Sequence, residues 1–283
     1  MRFMRVQVGD IKLWFDVDGS GLVPDGAEMR ERPTLLLLHG GPGFDHSLFK
    51  PAYAQLSDVA QVIYLDHRAN GRSDGGDKST WRLDVWADDV RGFCDALGIE
   101  HPIVLGWSFG GMVAMAYAAR HPDHPAKLIL QSTAAEMRID RVVEGFRRVG
   151  GDEAAEVARA FWNGDGGPEA MLAYAATCLP LYSPTPSDPE VMSRAQLNPE
   201  LLIDPGRVMR DMNLLPGLAS VRCPTLVIAG EDDPICPLEG MQDIADALPA
   251  EHVRFERIPK AGHMANDDDP ERFFGLVREF VVT

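Results

Sequence analysis

Thr34-Leu35-Leu36-Leu37-Leu38 runs straight into His39-Gly40-Gly41-Pro42-Gly43. Four leucines in succession leave no polar side, so a strand here must be covered on both faces, the environment of an interior strand in a parallel sheet. Comparable runs follow at Gln61 to Leu65, Pro102 to Leu105, Lys127 to Gln131, Pro224 to Gly230 and Val253 to Ile258. Helical stretches separate them, around Ser47 to Ser57, Leu83 to Leu97, Met112 to Ala119, Leu238 to Leu248 and Pro270 to Val281. Strands alternating with helices imply right-handed crossovers, hence an α/β fold with a mostly parallel central sheet flanked by helices and functional loops at the carboxyl ends of its strands. Arg5 to Val8 and Lys12 to Asp16 read as an antiparallel hairpin at one edge, and 22–33, rich in Pro, Gly and charge, reads as a loop.

The pattern is interrupted once. From about 135 to 217 no strand of similar strength occurs; Arg138 to Val149, Glu153 to Trp162, Glu169 to Cys178, Pro189 to Leu197 and Pro205 to Leu214 are helical pieces broken by Gly and Pro. The expected organisation is a core built from 1–134 and 218–283, with 135–217 inserted as a helical cap over the carboxyl edge of the sheet. A chain of 283 residues suits one α/β domain carrying such an insertion.

The strand at 102–106 and the helix after it enclose Gly106-Trp107-Ser108-Phe109-Gly110, a match to G-x-S-x-G. A nucleophilic serine must project from a sharp strand-to-helix turn, and glycine on either side tolerates the crowding there. Such a serine needs a base and an acid that orients it, which in this topology follow in the order Ser, Asp, His. Asp232 and Asp233 follow the strand ending at Gly230, and His263 follows the next strand in Ala261-Gly262-His263. The reading assigns Ser108 as nucleophile, His263 as base and Asp233 as orienting acid, with Asp232 as the near competitor. Backbone N–H groups of Phe109 and Gly41 are the expected oxyanion donors. A serine at this position argues against reactions that use a carboxylate nucleophile there.

A formal net charge of −16 disfavours nucleic acid as a partner. The N-terminus has no apolar stretch of signal-peptide length, and the longest aliphatic run falls far short of the roughly 20 residues that cross a bilayer. Cys94, Cys178, Cys223 and Cys236 have neither zinc-site nor disulfide-framework spacing, and His121 and His124 lack a third ligand, so no metal and no cofactor is expected. The expected setting is cytoplasmic, with no membrane partner. Asp267-Asp268-Asp269 before Pro270 reads as an acidic helix N-terminus favourable to the helix dipole.

Together, His39 to Gly43, Asp66-His67-Arg68-Ala69-Asn70-Gly71-Arg72-Ser73, the Ser108 turn with Gly111, Gly230 to Pro237 and Ala261 to His263 resemble serine hydrolases of the α/β-hydrolase superfamily, specifically the proline iminopeptidase family. The resemblance spans nearly the whole chain except the cap. It implies the α/β-hydrolase fold with an inserted cap, the triad Ser108, Asp233 and His263, Gly41 and Phe109 as oxyanion donors, and a small-molecule or short-peptide substrate from which an N-terminal residue, proline preferred, is released. The chain departs from that family at Ala69, where glycine is usual, at the residues flanking Ser108, and at Pro234, where some relatives carry glutamate. Peptidases of this kind hold the substrate amine with cap carboxylates; Glu136, Glu200 and Asp204 are candidates by charge. Phe44, Trp107, Phe146, Phe161, Trp162, Met171, Tyr174 and Tyr182 are expected to shape an apolar pocket. The same turn and cap also suit esterases and lactonases, including acyl-homoserine-lactone types, and the fold is reused for non-catalytic small-molecule receptors.

Overall fold

The computed structural model describes residues 4–164, 167–186 and 188–283. In chain order its elements are β1 (Arg5–Val8), β2 (Ile11–Asp18), β3 (Leu22–Asp25), β4 (Glu28–Glu31), β5 (Thr34–Leu38), β6 (Gln61–Leu65), α1 (Leu83–Leu97), β7 (Ile103–Trp107), α2 (Phe109–Arg120) and β8 (Lys127–Gln131). Then come α3 (Ile139–Asn163), α4 (Gly167–Thr177), α5 (Pro189–Arg194), α6 (Pro199–Ile203), α7 (Gly206–Met209), α8 (Leu215–Leu218), β9 (Thr225–Gly230), α9 (Leu238–Ala247), β10 (Val253–Ile258), α10 (Ala265–Asp268) and α11 (Pro270–Val282). One eight-stranded sheet runs in the order β1-β2-β6-β5-β7-β8-β9-β10. The β1–β2 and β2–β6 pairings are antiparallel and the rest parallel.

The leucines of β5 show how the sequence builds this sheet. Successive side chains of a strand point to opposite faces. Leu36 and Leu38 therefore enter the core under α1 and α2 with Trp86, Val90 and Phe93, while Leu35 and Leu37 enter the opposite core with Phe49, Tyr53 and Phe273. All four are fully buried. Each contributes on the order of 1.5–3 kcal/mol relative to an exposed leucine, so β5 anchors both layers at once.

Two local expectations need correction and a third holds. Residues 22–33 are not simply a loop: β3 and β4 form a separate exposed hairpin across Gly26-Ala27, with Gly26 at φ 64°. It carries no alternation of apolar side chains, so turn chemistry rather than burial sets it. The stretch from Ser47 to Ser57 is not one helix but two 3-10 segments, His46–Phe49 and Ala52–Asp58, divided where Lys50 is held extended before Pro51. The two helices expected on either side of Gly151 are both present within α3: Gly151, at φ 77° and ψ −169°, leaves helical geometry and divides the run there.

The segment between β8 and β9 begins and ends at one place. Leu214 N–H donates to Ala135 O at 2.8 Å, and Glu136 pairs antiparallel with Asn213. From that neck the insert reaches over the strand ends: Asn198 N–H donates to Gly43 O after β5 (2.8 Å), its side-chain amide to Ala69 O after β6 (2.8 Å), and Tyr182 O accepts from His263 N–H after β10 (2.6 Å).

Candidate active site

Ser108 joins β7 to α2 with φ 55° and ψ −119°, a backbone conformation that costs on the order of 1–3 kcal/mol in a non-glycine residue. The turn is held by Ser108 N–H donating to Gln131 O (3.0 Å) and by Thr133 Oγ1 donating to Ser108 O (2.7 Å). Its tightness explains the flanking glycines. A Cβ on Gly106 would lie 2.4 Å from Gly110 O, and one on Gly110 would lie 1.9 Å from Leu38 O. Phe109, the first residue of α2, has no carbonyl four residues back within the helix to take its N–H.

Asp233 and His263 meet behind this turn. Asp233 is fully buried; its Oδ2 lies 2.8 Å from His263 Nδ1, and its Oδ1 accepts from the N–H groups of Ile235 and Cys236, both at 2.9 Å. Asp232 is exposed, with only its backbone N–H engaged nearby, on Ala261 O (2.8 Å). A carboxylate holding two amide protons has only acceptor capacity left for the ring, so His263 Nδ1 carries the proton and Nε2 is free to accept one. His263 and Ser108 line the same cavity. Trp107 braces the ring from beneath, with Nε1 donating to His263 O at 3.2 Å and its ring 5.7 Å from the imidazole.

The loop after β5 is fixed from the other side. Gly41 has φ 133° and Gly43 has φ 97°. Gly43 N–H donates to Asn70 Oδ1 (2.6 Å), and a Cβ on Gly43 would meet Leu202 Cγ at 2.8 Å, so glycine is required where the insert closes on the loop. The 66–73 motif is the knot behind it. Buried Asp66 accepts from both the backbone N–H and Nδ1 of His46 (2.9 and 2.8 Å) and from Arg72 N–H (2.8 Å). Asp45 holds Arg72 Nη1 (2.6 Å) and Gln196 N–H (3.0 Å), and Arg68 forms a two-point pair with Asp89 of α1, both contacts 2.8 Å. Ala69 takes φ 62°, the left-handed conformation that glycine enters at no cost. His39 Nε2 accepts from His67 N–H (3.3 Å) while Nδ1 donates to Gly40 O (2.7 Å); burial holds both His39 and His67 below the usual histidine range.

A cavity of about 540 Å³ opens at Ser108 and His263. Gly40, Gly41, Phe44, Trp107, Trp162 and Tyr182 line it, together with Leu48, Ile235 and five methionines, Met112, Met137, Met192, Met209 and Met264. Among the described residues no Asp, Glu, Lys or Arg lines it. Five expected pocket residues lie elsewhere. Phe146 and Tyr174 pack with Phe161 inside the insert's own core, because Tyr174 stacks on Phe161 (4.2 Å) and bonds Trp162 Nε1 (3.1 Å); Phe161 and Met171 likewise stay off the cavity wall. Glu136 lies in an adjoining groove with Arg138 and Arg141, since the neck pairing with Asn213 turns it outward. Glu200 pairs with Lys78 (2.5 Å) and Asp204 with Arg210 (2.9 Å), both at the surface.

Two buried groups have donor atoms within 4.8 Å of one another, the spacing a metal would need: Asp233, Cys236 and His263, and Asp45, His46 and Asp66. The carboxylates and imidazoles of both are already hydrogen-bonded to each other or to neighbouring amides, and burial pushes the Cys236 thiol well above its usual range, which keeps it protonated. No helix among the described residues is long and apolar enough to cross a membrane.

Sequence reasoning missed Asp45, Asn70, Ser183, Asn198 and Asp268, all of which hold site loops. Asn70 lay within a motif and Asp268 within the acidic run before Pro270, read there only as a helix start; Asp45, Ser183 and Asn198 carried no local signal.

A serine in a strained strand-to-helix turn, lining one cavity with a histidine that is held by a buried carboxylate, fits a hydrolase architecture. The chain belongs to the alpha/beta hydrolase fold family, whose sequence model matches residues 33–151 and 145–270. It is 27% identical over 280 residues to a protein from Caulobacter sp. (strain K31) named putative carbamate hydrolase RutD, covering 94% of this chain and 96% of that one. It is 28% identical over 261 residues to a proline iminopeptidase of Levilactobacillus brevis, covering 84% and 85% respectively. The crystal structure of a proline iminopeptidase from Mycobacterium smegmatis superimposes with a TM-score of 0.79 at 24% identity, covering 99% of this chain and 97% of that one. The fold is thus that of an α/β-hydrolase enzyme.

Proposed function

We propose that this chain is a serine hydrolase that cleaves neutral esters or lactones with an apolar acyl part, with segment 135–217 acting as its cap. Ser108 Oγ attacks the substrate carbonyl as His263 Nε2 takes its proton, and the N–H groups of Phe109 and Gly41 face the oxyanion that forms. The leaving alkoxide takes that proton from His263, giving an acyl-enzyme. Water then attacks through the same base, releasing the acid and restoring Ser108. Asp233 keeps His263 in the tautomer that can accept a proton and stabilises the imidazolium.

The observation that carries the substrate class is the apolar wall of the cavity, without a charged side chain among its described lining residues. An ammonium group brought into such a wall would lose its hydration and find no carboxylate, a cost of several kcal/mol. An aliphatic acyl chain meets instead the methionines, which adapt their shape to it.

Release of an N-terminal residue, proline preferred, is the second reading. It is favoured by the proline iminopeptidase relative and by Glu136, whose groove shares Ala134, Met137, Ile235 and Cys236 with the cavity. A panel of p-nitrophenyl acyl esters, lactones including acyl-homoserine lactones, and prolyl arylamides separates them. Ester or lactone turnover that disappears in Ser108→Ala and persists in Glu136→Gln supports the first reading. Prolyl arylamide cleavage alone, lost in Glu136→Gln, replaces it with the second. Retained turnover in Ser108→Ala removes both, and tight ligand binding without turnover makes the chain a receptor.

A further inference from the structure

The insert does more than roof the cavity. Three successive backbone N–H groups of the histidine loop are taken up by it and by one carboxylate. Gly262 N–H donates to Asp268 Oδ2 (2.7 Å), His263 N–H to Tyr182 O (2.6 Å) and Met264 N–H to Ser183 Oγ (3.0 Å). The hydroxyl of Ser183 in turn donates to Asp268 Oδ2 (2.9 Å), and Asp268 Oδ1 accepts from Thr185 N–H (3.1 Å). Ser183 is buried, and the approach is so close that a Cβ on Gly262 would lie 2.2 Å from Tyr182 O.

Asp268 was grouped by sequence with an acidic helix start. It does stand there, directly before Asp269, which caps α11 by accepting from Arg272 N–H at 3.2 Å, but the carboxylate of Asp268 makes its own hydrogen bonds away from that helix. The contacts of Asp268 therefore all serve the junction between the insert and the histidine loop.

We propose that Ser183 and Asp268 are positioning residues for His263, so that the insert supplies part of the scaffold of the catalytic base. The proposal rests on the reading of His263 as that base. Asp233 fixes one ring nitrogen, and Trp107 fixes the carbonyl of His263; neither holds the loop's N–H groups. With Ser183 and Asp268 in place, the loop is held through its N–H groups, and His263 lines the cavity together with Ser108. Without them, the backbone around His263 is free to shift by a fraction of an ångström to an ångström, a displacement that lowers turnover by up to about 100-fold; Ser183 also lines the cavity whereas Asp268 does not, so Asp268→Asn is the variant that leaves the substrate wall as it is.

The test compares Ser183→Ala, Ser183→Thr and Asp268→Asn in the full chain. Three quantities are read: kcat and KM on a p-nitrophenyl acyl ester, the His263 Nδ1–H proton resonance in substrate-free protein, and the melting temperature. Ser183→Ala and Asp268→Asn are expected to lower kcat by roughly 10- to 100-fold with KM within about twofold, and to broaden or shift the Nδ1–H resonance. Ser183→Thr, which keeps the hydroxyl, is expected to restore most of both. Turnover within twofold of the parent with an unmoved resonance overturns the proposal, as does equal loss in the Ala and Thr variants. Should Asp268→Asn fail to fold, the Ser183 pair decides. Should the parent protein hydrolyse no ester, the proposed substrate class falls, and the resonance still reports whether Ser183 and Asp268 hold the imidazole.

Discussion

Asp233 holds Nδ1 of His263 at 2.8 Å with one oxygen and gathers the amide protons of Ile235 and Cys236, each at 2.9 Å, with the other. Asparagine cannot do both. Its single oxygen stays on the two amides, and its NH₂ then faces Nδ1, forcing the ring proton onto Nε2, where it blocks proton acceptance. Asp233→Asn is therefore expected to lower kcat by about a thousand- to ten-thousand-fold with little change in melting temperature, measured on an activated ester beside Ser108→Ala.

Gly43 lies where the loop carrying Gly41 meets the insert. Gly43→Ala adds a methyl 2.8 Å from Leu202 Cγ and 3.0 Å from Asn198 O at φ 97°. The expected cost is about 1–3 kcal/mol of stability together with reduced kcat, read by urea denaturation and steady-state kinetics. Leu202→Ala in the same chain relieves the steric part and leaves the backbone part, so it recovers only some of the loss.

Arg68 is buried against Asp89, with a second carboxylate partner, Asp10, at the surface and Thr80 Oγ1 at 3.4 Å from its Nη1. Asp89→Ala leaves a guanidinium inside the protein with only that exposed carboxylate and the Thr80 hydroxyl. Removing one member of a buried pair costs about 3–5 kcal/mol, and the urea midpoint should fall accordingly while the cavity wall is untouched.

His39 and His67 are held neutral by burial, with folded-state values below the usual histidine range, His67 far below. In the unfolded chain each takes up a proton near pH 6.5. Below that pH the unfolded state binds more protons than the folded one, so stability falls as pH falls. Between about pH 6.5 and the folded-state values, each group removes up to about 1.4 kcal/mol per pH unit. Urea midpoints measured from pH 7.5 to 5 should decline in this window, and His67→Phe, which removes a ring whose Nε2 has no hydrogen-bond partner among the described residues, should flatten the decline.

What could be read from the sequence was what local geometry dictates. The glycines around Ser108 announce a turn that admits no Cβ, and the leucines of β5 announce two buried faces. Side-chain direction within the insert was not legible: Trp162 and Tyr182 face the cavity while Phe146 and Tyr174, of the same chemical type and nearby in sequence, face inward. That division depends on how the kinked α3 packs on α4, which no periodicity encodes. Asp268 and Asp269 stand side by side, yet one caps a helix and the other binds a loop 85 residues away at Ser183. The choice between Asp232 and Asp233 was likewise made by the turn after β9, which buries one and exposes the other.

The neck at Ala135 and Leu214 brings the two ends of the insert side by side, so the segment is topologically a cassette that can be exchanged without rethreading the sheet. Here the cassette is not interchangeable without conditions. On the proposed role of Ser183, a graft from another family member must bring a carbonyl where Tyr182 has one and a hydroxyl where Ser183 has one, because these take up the N–H groups of His263 and Met264.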